Sequence, residues 1–217
     1  MAQEDEDGFL NASMKQQLSG VFTKLNRKLI FKAVLDNRPI STEVKDFLRE
    51  ICELSDWLSC SFEQGDDPEG LFPEIRLETE NGYSGISFHG VLGGHETNSF
   101  VVAVYNLAGP GQPIDNGIRK RIKTLNQPAR MTIAATLSCT MCPDLVMAAQ
   151  RIASLNPIIE AHMLDLSQFP QLKEKYNIMS VPGLILNNDG NVLFGKKDVP
   201  ELLDILEKTN IGEIIRL

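Results

Sequence analysis

Two kinds of apolar spacing alternate along the chain. From Asn11 to Leu25, the residues Met14, Leu18, Val21, Phe22 and Leu25 recur at intervals of three and four, which places them on one helical face. Leu29 to Leu35 is a short, nearly continuous apolar run and predicts a buried strand. Asp36 to Pro39 carries turn chemistry. Ser41 stands where it can cap a second helix with the apolar face Val44, Phe47, Leu48, Ile51 and Leu54. Trp57 to Phe62 alternates as a strand, and an acidic loop, Gln64 to Gly70, follows. Two further strand-like runs meet at Asn81-Gly82, a strong hairpin signal. Helices are predicted from Glu96 to Leu107 and from Asp115 to Leu125, ahead of a boundary at Asn126-Gln127-Pro128.

The pattern then restarts. Arg130 to Leu137 predicts a strand and Pro143 to Leu155 a helix facing inward through Leu145, Val146, Ala149 and Ile152. Ile158 to Leu166 predicts a strand, and Gln168 to Tyr176 a short helix. Pro182 to Leu186 and Val192 to Phe194 form a hairpin around Asp189-Gly190, and Pro200 to Lys208 closes the chain as a helix.

The two halves read as one unit written twice. Phe72-Pro73 opens a strand that runs to Asn81-Gly82, as Val181-Pro182 opens one that runs to Asp189-Gly190. Each hairpin ends on a phenylalanine with a glycine close behind, Phe88 and Gly90 or Phe194 and Gly195. Upstream, the run from Ala33 aligns with the run from Ala135. Each unit is β-α-β-α-β-β-α or close to it, with the acidic loop in place of the first unit's middle helix. Such an order implies α/β architecture, with mixed sheets covered by helices. The expected divisions are an acidic tail at 1–10, one unit at 11–125 and a second at 126–217. The total of 217 residues accommodates two small domains.

Charge narrows the function classes. The net charge is −8 and the pI about 5.0. That balance excludes a phosphate-backbone binder, which needs a basic face, and an anionic membrane surface as partner. No apolar run is long enough for a membrane-spanning helix. Met1 to Asp7 carries acids and no base, unlike a secretory signal, so the expected compartment is the cytoplasm.

The four cysteines are Cys52, Cys60, Cys139 and Cys142. Chance gives four cysteines one C-x-x-C spacing in roughly one chain in twenty, so Cys139-Thr140-Met141-Cys142 informs only through its context. That context is a strand, then the motif, then a helix, with Pro182 opening a later strand. This is the thioredoxin-fold arrangement, and the first unit has Asn37 and Ile40 where the second has its cysteines. The first unit therefore reads as a redox-dead copy. A structural zinc site would need further ligands at similar spacing, which Cys52, Cys60, His89, His95 and His162 do not supply, so no metal is expected. Cys52 and Cys60 lie on apolar faces and read as small buried hydrophobes.

Ser138 to Val146, Asn156-Pro157, Asp165, Val181-Pro182 and Asn187, with Glu53 to Asp56 and Gly94-His95-Glu96 in the first half, resemble the N-terminal domain of the flavoprotein subunit of alkyl hydroperoxide reductase. The likeness covers most of residues 10–210. It implies fused tandem thioredoxin folds with one active dithiol, which passes electrons from a flavin-linked disulfide to a peroxiredoxin. No flavin or nicotinamide half is present, since no G-x-G-x-x-G follows a strand. FAD and NAD(P)H are thus expected on a donor partner or on a further C-terminal half. The dipeptide Thr140-Met141 lacks a histidine, so redox potential is not carried over.

The resemblance also implies roles. Cys139, near a helix N-terminus that favours a thiolate, attacks; Cys142, one turn in, resolves the mixed disulfide. Pro182 corresponds to the cis-proline beside the disulfide, with Val181 pairing to a bound partner chain, and Thr140 and Met141 complete the contact surface. Pro73 reads as a relic of the same proline. Glu96 is either a carboxylate supplied across the inter-unit cleft to take the resolving thiol's proton, or an acid favoured by a helix N-terminus and nothing more. His95 reads as a loop histidine. Two other functions compete: a general protein disulfide oxidoreductase, and a non-catalytic adaptor built on tandem thioredoxin folds.

Overall fold

A computed structural model of the chain describes residues 9–210. The elements run α1 (Ala12–Phe22), β1 (Leu29–Leu35), α2 (Pro39–Cys52), β2 (Leu58–Gln64), β3 (Glu74–Thr79), β4 (Gly82–His89), α3 (Glu96–Ala108) and α4 (Asn116–Thr124). They continue with β5 (Ala129–Ala135), α5 (Cys142–Ala153), β6 (Ile159–Asp165), α6 (Pro170–Lys175), β7 (Gly183–Leu186), β8 (Val192–Phe194) and α7 (Val199–Asn210). The acidic run from Met1 to Gly8 lies outside the described residues. Phe9 and Leu10 are anchored: their N–H groups donate to the Glu50 carboxylate at 2.7 and 3.2 Å, and Leu10 is buried.

All eight strands join one mixed sheet in the order β2-β1-β3-β4-β6-β5-β7-β8. Each half holds a parallel pair and an antiparallel hairpin. The halves are fused where β4 and β6 run parallel, with Ile86 opposite Ala161 and Phe88 opposite Met163. Strand alternation sends Ile86 and Phe88 to one face and Ser87 and His89 to the other. The first face holds the main core. There Phe100 of α3 packs on Phe31, Phe88 and Phe47 with ring centroids 5.2, 5.7 and 5.9 Å away. On this face α3 of the first unit also packs against α5 of the second.

The opposite face is covered unevenly. In the second half, α6 closes a smaller core of Leu164, Leu166, Phe169, Leu172, Ile178 and Ile185. In the first half, the loop 65–73 takes the place of a helix. Its Phe72 ring lies so close to Gly65 and Gly70 that a Cβ at Gly70 would sit 2.2 Å from it. The symmetry of the two units extends to the helices that precede their first strands: α4 packs on α7 as α1 packs on α3. Arg121 of α4 holds this contact through Asp204 at 2.6 Å and both oxygens of Glu207 at 2.8 and 2.9 Å.

One local expectation is corrected. Helix α2 begins at Pro39, with Arg38 and not Ser41 at the N-cap. Proline's fixed φ suits the first helical position, so the helix starts earlier. Ser41 instead bonds back to Asp36, donating to its carboxylate at 2.7 Å and accepting its N–H at 3.1 Å. The second hairpin does turn around Asp189-Gly190, with Gly190 at φ 88°, and Asn187 and Asn188 just ahead of it are left-handed as well, at φ of 50° and 57°. Asparagine tolerates that region, and the Asn187 side chain also accepts the Arg130 N–H at 2.8 Å, fixing the turn to β5.

Candidate redox site

Strand β5 ends at Ala135, and the chain turns before α5. Cys139 N–H closes the turn by donating to the Thr136 carbonyl at 3.0 Å. Cys139 and Cys142 are joined by a disulfide with Cα atoms 5.5 Å apart. Cys142 is the first residue of α5, with Met141 at the N-cap, rather than one turn in. Pro143, lacking an N–H that the first turn would leave unpaired, suits a helix that begins there. The Cys142 N–H points at the Cys139 sulfur, 3.1 Å away. An unpaired helix N–H and the positive end of the helix dipole therefore face Cys139. Cys142 is fully buried, and Cys139 is half-buried. Only one sulfur is thus open to a large partner.

The Phe72-Pro73 and Val181-Pro182 peptide bonds are both cis. Val34 pairs with Glu74 and Ala134 with Gly183, so each proline stands at the sheet end from which the loop after its unit's first strand departs. In the second unit that loop carries the disulfide. In the first it carries Arg38, whose guanidinium donates to the Phe72 carbonyl and, at 2.6 Å, to Asp36. The carbonyl preceding the first unit's cis-proline is thus taken internally. Val181 is half-buried against the core, and Thr140 and Met141 are exposed, Met141 by 51%. Met179, 75% exposed in the loop leading to Val181, is not among the residues the sequence singles out. Its signal there is weak, since Met179 stands beside another large apolar residue, Ile178, which is the one that is buried.

Glu96 lies in the first turn of α3 and is fully buried. Neither of its carboxyl oxygens has a hydrogen-bond partner among the described residues, and nor does the Ser99 hydroxyl one turn on. Burial pushes its carboxyl up to about 7, and the Asp165 carboxylate adds to the rise. The backbone fixes this position: His95 N–H donates to the Leu137 carbonyl at 3.0 Å, two residues before Cys139. Gly94 has φ 55°, and a Cβ there would lie 2.3 Å from the same carbonyl oxygen. Gly94→Ala should therefore lose on the order of 1–3 kcal/mol, read as a lowered urea midpoint. His95 itself is exposed. Cys52 and Cys60 are free and half-buried rather than fully buried, and burial together with Cys60 pushes the Cys52 thiol up.

A thioredoxin-domain family model matches residues 130–208. The F subunit of alkyl hydroperoxide reductase from Staphylococcus aureus is 32% identical over 202 residues, which are 92% of this chain and 38% of that protein. The chain thus spans well under half the length of the curated relatives it matches. A structure of the alkylhydroperoxide reductase AhpF from Enterococcus faecalis superposes with TM-score 0.85 at 38% identity, covering 91% of this chain and 99% of that one. The NTD_N/C domain of the same protein gives the same TM-score and identity over 91% of this chain and 100% of that one. A protein disulfide oxidoreductase from Aeropyrum pernix shares the fold at TM-score 0.82 and 17% identity, over 95% of this chain and 96% of that one.

Fold, disulfide and relatives together define a thiol–disulfide oxidoreductase built on tandem thioredoxin folds, the first without its cysteines. That sets aside the adaptor reading. The chain belongs to the family of the N-terminal domain of the alkylhydroperoxide reductase AhpF. Among the described residues no helix is long and apolar enough to cross a membrane.

Proposed function

We propose that this chain is a dithiol carrier that passes electrons from a flavin-dependent, NAD(P)H-linked disulfide reductase to a peroxiredoxin. The observation that carries the reading is the asymmetry of the pair: Cys139 is accessible and faces a helix N-terminus, while Cys142 is sealed behind it. The cytoplasm is the compartment that goes with this chemistry. FAD and the nicotinamide belong to the donor, on a separate protein or on a further part of a longer chain.

In the reducing direction, the Cys139 thiolate attacks one sulfur of the peroxiredoxin disulfide. That S–S bond breaks, a mixed disulfide forms, and the leaving partner sulfur takes a proton. Cys142 then loses its proton and attacks the Cys139 sulfur, closing the intramolecular disulfide and releasing the second partner thiol. Two electrons have moved from the carrier to its partner. A donor dithiol reverses both steps. Thr140, Met141, Val181 and Pro182 form the surface the partner chain meets, and exposed Met179 extends it. Glu96 is the acceptor for the Cys142 proton, since a buried carboxyl poised near 7 can both take and return a proton at neutral pH. The packing of α4 on α7 favours drawing the boundary between units ahead of α4, within 109–115, rather than at 125 and 126.

The test couples the chain to NADH or NADPH, a flavin-dependent disulfide reductase, a two-cysteine peroxiredoxin and peroxide. Steady nucleotide oxidation that requires the chain is the expected result. Reduction of a small aromatic disulfide without any peroxiredoxin turnover would replace this reading with general protein disulfide exchange.

A further inference from the structure

We propose that Glu74, His89 and His162 form a binding site for a divalent transition-metal ion, with zinc the ion of choice, at the seam between the two units. This site is independent of the disulfide and of the carrier role. The three residues come from β3, β4 and β6, on the sheet face that the first unit leaves without a helix. One ligand atom from each lies within 4.8 Å of the others, and all three side chains are largely buried. They line a cavity of about 550 Å³.

The hydrogen bonds dictate where the imidazole protons stand. His89 Nδ1 lies 2.8 Å from the Leu71 carbonyl, which only accepts, so Nδ1 carries the hydrogen and Nε2 presents a lone pair. His162 Nε2 lies 3.2 Å from a Glu160 carboxylate oxygen that Arg130 also holds at 2.6 Å. That nitrogen is therefore the donor, and Nδ1 presents a lone pair. The two lone-pair nitrogens, His89 Nε2 and His162 Nδ1, face one another at 3.1 Å. One hydroxyl hydrogen is at hand: Ser87 Oγ lies 2.8 Å from His162 Nδ1 and 3.2 Å from His89 Nε2. It can satisfy one nitrogen and leaves the other confronting it. A cation between the rings removes the conflict.

The surroundings suit a metal. An imidazole ligand whose far nitrogen is fixed by a carbonyl or a carboxylate is the usual outer-shell arrangement of a metal-bound histidine. Arg76 holds one Glu74 oxygen at 2.7 Å, and the other turns toward His89 Nε2 at 3.9 Å. At metal–nitrogen distances of about 2.0–2.1 Å, a tetrahedral site separates two nitrogens by about 3.3 Å, close to the spacing found. Two imidazoles and one carboxylate suit zinc and its neighbours rather than calcium or magnesium. The cavity has room for a fourth ligand. Bound there, the ion would tie β4 of the first unit to β6 of the second. Because its ligands lie on three strands, with His162 73 residues beyond His89, no spacing motif announces it.

The experiment titrates the full chain, with the Cys139–Cys142 disulfide closed, against zinc and against cobalt(II). The expected result is one ion per chain, a raised melting temperature, and visible cobalt bands without thiolate charge-transfer absorption. His162→Gln and Glu74→Gln should each weaken zinc by more than the roughly 10–100-fold that losing an outer-shell partner costs. Equal affinity in wild type and variants, a cobalt spectrum showing thiolate ligation, or no binding to wild type would each overturn the site. No binding would leave a proton shared between the rings as its occupant. If the variants fail to fold, the wild-type cobalt spectrum decides alone.

Discussion

Cys139→Ser will reduce disulfide exchange to the uncatalysed level, whereas Cys142→Ser will complete the first exchange and stall. The expected loss of turnover is on the order of 10³-fold or more in either variant, the scale on which an enzyme loses an essential nucleophile. The difference lies in what accumulates. Cys139 is the sulfur that a partner can reach, and the Cys142 N–H faces it at 3.1 Å. With Cys142 replaced, the mixed disulfide on Cys139 has no neighbour to resolve it. Non-reducing electrophoresis and mass spectrometry of Cys142→Ser with a peroxiredoxin should show a one-to-one covalent adduct that reductant releases. An adduct that forms in Cys139→Ser instead would reverse the assignment of the two sulfurs.

Glu96→Gln should make the protein more stable above neutral pH and slower in exchange. The native state keeps the Glu96 proton to about pH 7, and the unfolded chain releases it near 4.5. Between those values the native state binds more protons than the unfolded state, so stability falls as pH rises through that window. A shift of that size corresponds to about 3 kcal/mol. Glutamine keeps the neutral shape at every pH. The variant should match wild type at about pH 3.5, below the unfolded-state value, and exceed it by up to about 3 kcal/mol at about pH 8, measured by urea unfolding at both values. Its exchange rate should also lose the inflection near pH 7. If Glu96 serves only the helix N-terminus, the variant will instead lose about 0.3–1 kcal/mol above neutral pH, with exchange unaltered.

Much of this molecule is legible in its sequence because the signals are local. Buried strands announce themselves as apolar runs, and Pro73 and Pro182 mark equivalent strand starts. The Cys139-Cys142 spacing gains meaning from the strand before it and the helix after it. The misread positions are those where two local signals compete. Ser41 is a good cap, but Pro39 is a better first helical residue, and the helix follows the proline. What the sequence conceals is non-local. Nothing in β4 or β6 alone shows that they pair with one another, since an apolar strand reads the same at an edge and in the middle of a sheet. The convergence of Glu74, His89 and His162 depends on that pairing and is hidden with it. The burial of Glu96 depends on α3 docking against the other unit.

The pairing of β4 with β6 also guards against aggregation. Two separate sheets would expose four edge strands, each a template for adding a strand from another molecule. Fusion leaves two, β2 and β8. On β2, Ser59, Ser61 and Glu63 are exposed, and Glu63 is held by Lys32 at 2.9 Å. The other edge, β8, is three residues long. One edge is therefore polar and charged, and the other is too short to recruit a neighbour. Joining the units edge to edge protects the chain against strand swapping, whatever its cysteines are doing.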